Sequence, residues 1–175
     1  MYLLKNFRIG LIRLKMGRIS SVIWIFPIFL LCSQRVIGGE TYSTWEGFEA
    51  DKCASIWLIM RFIDKEAKIK FFPRGSEISE GILFDVPEAK LRRTHNMSTF
   101  VSILRHYKIG DPKLDYIGNI IHDIEINIWE KKVFEDTSQV QNDVMAIIVN
   151  TKTNEEIISK SIEYFDSFYD KIILK

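Results

Sequence analysis

No acidic residue occurs in the first 39 positions of this 175-residue chain. Six bases stand there instead: Lys5, Arg8, Arg13, Lys15, Arg18 and Arg35. All 23 acids follow from Glu40 onward, against the 18 bases that remain of 24, so residues 40–175 carry a net −5. That balance argues against nucleic acid as a partner, because phosphate-backbone binding needs a basic face. Cysteine is scarce too, with only Cys32 and Cys53. A domain left with Cys53 alone has no internal disulfide and relies on its core, where a lone thiol in an apolar helix reads as packing. There is no Gly-rich phosphate loop, no G-x-S-x-G, no C-x-x-C and no flavin or nicotinamide fingerprint. The familiar nucleotide, hydrolase and redox-cofactor chemistries lack their motifs.

The basic start leads into an apolar run from Val22 to Cys32. Its length suits the h-region of a signal peptide and falls short of the roughly 20 residues of a membrane span. Residues 1–39 are therefore expected to be a signal peptide with a short spacer, and Met16 is a plausible true start. Small residues suited to cleavage occur at Ser33 and Gly38–Gly39. Export to the periplasm or the exterior is the expectation; an uncleaved signal anchor is the alternative. The membrane is then met only through this segment.

Residues 40–175 read as one α+β domain, with a few short strands early and helices late. "TYSTWEGF" (Thr41–Phe48), "AKIKFFP" up to Pro73, and "GILFDVP" (Gly81–Pro87) fit strands. Asp51 fits the N-cap of a helix through Ile63, whose buried face holds Cys53, Ile56, Trp57, Met60 and Ile63. Trp57 belongs to the core on that spacing. Ser98 caps a helix carrying Phe100, Ile103, Leu104 and Tyr107, with His106 facing away. Asp111–Pro112 starts the next, striped by Leu114, Ile117, Ile121, Ile124 and Ile128. From Ile124 that stripe also fits strand alternation. A helix over Val140–Val149 follows, then one opened by the capping box of Thr153 and Glu156. Its inner face carries Ile157, Ser161, Tyr164, Phe168 and Tyr169.

Two site chemistries can be built from these residues. His122 and Glu125, three apart on a helix, share a face, and Asp115 lies two turns earlier on the same flank. With His95 from a loop they suit a divalent ion such as Zn or Fe, Asp115 standing behind the ligands. The same spacing fits a solvated, ion-paired flank. The other chemistry is anionic. Lys52 in a first helical turn, with Arg61, Arg92 and Arg93, offers donors for a tetrahedral oxyanion such as chromate, sulfate or phosphate. Arg92–Arg93 also fit a wet loop, and Arg61 also fits a pair with Asp64 or Glu49.

An ordered set of short motifs runs through this domain: Asp51–Lys52, Ser55, Trp57–Ile59, Arg61–Asp64, Phe84–Asp85 with Pro87, His95, and His122–Asp123 with Glu125. Over about residues 42–172 the set resembles the chromate-resistance ChrB C-terminal domain family. Many relatives have cysteine at the place of Ser55, so a thiol role there is not expected. Regulatory members carry an additional N-terminal domain for transcriptional control; here the expected export signal occupies that place. The resemblance implies an exported chromate-resistance-type protein that binds an oxyanion or a metal ion in detoxification or sensing. A metal-dependent enzyme of unknown substrate, built on His95, His122 and Glu125, is the alternative. Because His122, Asp123 and Glu125 sit among isoleucines in "IIHDIEI", they need partners. The expectation is that His122 and Glu125 converge with His95 at one polar site.

Overall fold

A computed structural model of the chain describes residues 39–127 and 131–173. The expected signal segment and Ile128 lie outside the described residues.

The segment after Glu40 forms strand β1, Thr41–Trp45, with Tyr42, Ser43 and Thr44 buried. The alternating stretch forms β2, Lys68–Phe72, and β3 is only Ile82–Leu83. β1 lies between the other two and pairs with both in parallel, Thr41 opposite Lys68 and Tyr42 opposite Ile82. Gly81 is what lets β3 come alongside. Its φ is +83°, and a Cβ there would stand 2.7 Å from the Thr41 carbonyl oxygen. β3 ends sooner than the Gly81–Pro87 expectation because Asp85 turns left-handed, at φ 55°. Strand geometry cannot continue through that conformation.

Helix α1, Ala50–Leu58, is buried at all nine positions. Its N-cap is Glu49 rather than the expected Asp51, whose side chain is engaged elsewhere. The chain then widens into a π-turn, Ile59–Ile63, which the Asp64 N–H closes on the Ile59 carbonyl at 2.8 Å. α1 contacts every other helix. These are α2 (Thr99–Tyr107), α3 (Pro112–Glu125), α4 (Thr137–Val149) and α5 (Asn154–Lys171). The local caps form as expected: Ser98 accepts from the Val101 N–H, Asp111 from those of Lys113 and Leu114, and Thr153 from that of Glu156. α3 ends at Glu125, before the strand-like alternation. The domain is α+β, its strands in the N-terminal half and its helices mainly in the C-terminal half.

Trp57 sits at the centre of the core, 1% exposed. It packs on Phe62, Phe100, Phe165 and Tyr169 at centroid distances of 5.3, 6.4, 5.5 and 5.9 Å. Its indole N–H donates to Asp166 Oδ1 at 2.8 Å, which leaves a large apolar ring with no unpaired polar atom. Cys53 is buried as well, and burial pushes its thiol up to about 12, consistent with packing rather than reactivity. No helix among the described residues is long and apolar enough to cross a membrane.

Candidate functional site

A helix buried on all sides is expected to be apolar throughout, yet the first turn of α1 carries Asp51 and Lys52 into the interior. Each charge is answered. The fully buried Asp51 receives the Thr99 N–H at Oδ2, 2.7 Å, and the Phe100 N–H at Oδ1, 2.8 Å. It therefore caps α2 from a neighbouring helix. Burial and then the charge of Asp85 push its carboxyl up to about 7, against the pull of those two N–H groups. Lys52 Nζ donates to the Trp45 carbonyl at 2.7 Å, where β1 ends, and lies 3.5 Å from Asp85 Oδ2. Asp85 is fixed in turn by the Thr99 hydroxyl, which donates to Oδ1 at 2.7 Å. The left-handed backbone of Asp85 is the local cost of turning that carboxylate toward Lys52.

Arg93 knits the other side together. It bonds Glu49, stands 3.1 Å from Glu125 Oε2, and holds Nε 3.5 Å from Asp51. Glu125 Oε1 also accepts the Asp51 N–H at 3.3 Å. Burial raises the Glu125 carboxyl, the Glu49 charge adds to the rise, and Arg93 opposes both. In front of these groups opens a cleft of about 620 Å³, bounded by the Trp45–Glu49 turn, Lys52, Arg74, the Asp85–Pro87 turn, Arg92 and Arg93. Arg92 reaches back to the Pro87 carbonyl and holds that turn.

Three of the four bases read as anion ligands, Lys52, Arg92 and Arg93, thus line one cleft. Arg61 does not. It forms a forked pair with Asp166 on α5, at 3.0 and 2.9 Å, rather than with Asp64 or Glu49. The residues read as metal ligands are placed differently. His122 Nε2 lies 3.2 Å from the Asn96 carbonyl, so the His95 loop does reach the end of α3, with His95 itself exposed. Glu125 turns to Arg93, and Asp115 is exposed in the first turn of α3. Among the described residues, no group of three or more His, Cys, Asp or Glu side chains is arranged to hold a metal ion.

The buried acid of "IIHDIEI" is Asp123. Its carboxylate receives the Asn127 amide at 2.7 Å, the Val133 N–H at 2.7 Å, the Phe134 N–H at 3.3 Å and the Thr137 hydroxyl at 2.8 Å. Burial works against its charge, and these donors outweigh burial and hold the group below the usual carboxylate range. Thr137 is thereby fixed as the start of α4, one turn before the Val140 expected from periodicity. Sequence reading missed Glu49, Arg74 and Asp85 at the cleft. Only Asp85 left a signal, since an Asp in the F-D-x-P turn tolerates left-handed backbone better than most residues.

None of the curated proteins compared with the chain matches it, and no solved structure does. A family model does match, described as the ChrB C-terminal domain, over residues 42–172. The match spans β1 through α5 and includes every residue of the cleft. The chain belongs to the ChrB C-terminal domain family, and its function is of the chromate-resistance type.

Proposed function

We infer that the domain serves chromate resistance by binding an oxyanion in the cleft before Lys52 and Arg93. The observation that carries this reading is the convergence of Lys52, Arg74, Arg92 and Arg93 on one cleft of about 620 Å³. Elements far apart in sequence supply them: α1, the segment after β2, and the loop before α2. Arginine forks and a lysine ammonium match the oxygens of a tetrahedral anion, and charge-assisted donors are the strong ones. Lys52 has three N–H donors; one goes to the Trp45 carbonyl, and the ammonium stands 3.5 Å from Asp85 Oδ2. The role proposed is binding, in detoxification or sensing.

Calorimetric titration of chromate into the protein tests this. Wild type binds, and the double reversal Arg74→Glu/Arg92→Glu at the rim weakens binding about a hundredfold or more, as two lost charged hydrogen bonds of roughly 1.5–3 kcal/mol each require. Arg61→Ala, outside the cleft, binds like wild type. Equal affinity in all three proteins would remove the cleft from the function.

A further inference from the structure

Building on the oxyanion reading, we propose that the cleft selects a singly protonated oxyanion, such as hydrogen chromate or hydrogen phosphate, over a fully deprotonated one such as sulfate, through the acceptor oxygens of Asp85 and Glu49. The cleft is not a purely basic pocket. Glu46, Glu49 and Asp85 line it together with the four bases. An ionised carboxylate offers only acceptors, about four lone-pair positions in all. Asp85 uses one oxygen for the Thr99 hydroxyl and holds the other 3.5 Å from Lys52 Nζ, so acceptor capacity remains on the cleft side. Glu49 takes the Arg93 guanidinium on Oε1 and is 44% exposed. An anion bonded to Lys52 and Arg93 therefore has these carboxylates as its nearest neighbours.

The two kinds of oxyanion meet that arrangement differently. Sulfate near neutral pH has four acceptor oxygens and no proton. Placed here it sets oxygen against oxygen and brings like charges into contact, with no hydrogen bond to give to Asp85 or Glu49. Hydrogen chromate has nearly the same tetrahedral shape but carries one O–H. That hydroxyl donates to Asp85 or Glu49 while the remaining oxygens accept from the bases. Shape cannot separate such isosteres; a hydrogen bond that only one of them can make does so by a large factor.

The protein's own charges also titrate, and every group facing the cleft counts. Asp51 and Glu125 stand behind Arg93, both with carboxyls raised by burial. Their protonation at low pH leaves Glu49 as the remaining carboxylate on Arg93 and so favours any anion. Sulfate, which has no proton to lose across this range, reports that protein-borne part alone. The excess pH dependence of chromate over sulfate belongs to the ligand's proton.

The test is calorimetric titration of the full chain with potassium chromate, sodium phosphate and sodium sulfate from about pH 5.5 to 8.5, a range in which hydrogen chromate loses its one proton while phosphate passes from two protons to one and keeps a hydroxyl. Chromate is expected to weaken about tenfold for each pH unit above that proton's pKa while phosphate, which keeps a hydroxyl, continues to bind; sulfate should change far less and bind at least about tenfold more weakly than chromate at the acid end. Asp85→Asn keeps the left-handed backbone, which Asn accepts well, and replaces an acceptor by a donor. It should improve sulfate and flatten the chromate profile, and Glu49→Gln should do the same more weakly. Sulfate binding as tightly as chromate at every pH, or an unchanged preference in both variants, overturns the selection while leaving the cleft a general anion site. Failure of all three anions to bind overturns the oxyanion reading itself and this inference with it.

Discussion

At the scale of single residues, the buried acids do unlike work under like burial. Asp51 serves two backbone N–H groups but faces Asp85, and its carboxyl rises from 3.8 to about 7. A group raised on folding contributes stability that is complete below about pH 4 and is lost as the pH climbs through about 7. Denaturant midpoints of wild type should therefore fall between pH 5 and pH 8 relative to Asp51→Asn, whose amide does not titrate. Parallel curves for the two proteins would contradict this. Asp123 has four donors among the described residues, so Asp123→Ala should cost about 3 kcal/mol or more, read as a shifted midpoint in the same measurement. Trp57→Ala, which empties the centre of the core, should cost about 3–5 kcal/mol. That three polar groups among isoleucines need partners was legible from "IIHDIEI". Which partners they find was not, because Val133 and Thr137 lie ten or more residues from Asp123, and Arg93 lies 32 before Glu125 in number.

Among the elements, what a short sequence window decides was readable and what the tertiary fold decides was not. Ser98, Asp111 with Pro112, and Thr153 announce their helices because a cap bonds two or three residues ahead. Asp51 carries the same signature and caps a different helix, since only the packing of α1 on α2 reveals the nearer donors. The parallel sheet was hidden for a related reason: β1 and β2 each look like any strand, and their pairing is a contact across α1. The π-turn and α5 are joined through Asp166, which serves both Arg61 and the Trp57 indole. Arg61 is 44% exposed, so Arg61→Ala should change stability by no more than about 1 kcal/mol. Asp166→Ala strands the buried indole N–H and should cost about 1–3 kcal/mol. Thermal or chemical unfolding of the two variants checks the order; equal losses would mean the exposed pair, not the indole bond, joins these elements.

For the whole molecule, two proposals remain to be tested, export through the basic, apolar start and oxyanion binding in the cleft of the domain. The acid-free basic start and the apolar run Val22–Cys32 predict processing between about Leu31 and Glu40. N-terminal sequencing of protein from native cells should return a start in that window, whereas an intact Met1 or Met16 on soluble cytoplasmic protein would end the export proposal. Whether the domain holds an oxyanion before Lys52 and Arg93 is decided by locating chromium. Crystals grown with chromate, measured at the chromium absorption edge, should give an anomalous peak in the cleft within hydrogen-bonding reach of Lys52 Nζ and the guanidinium of Arg93 or Arg92. A peak between His95 and His122 instead, or an empty cleft under saturating chromate, would contradict it.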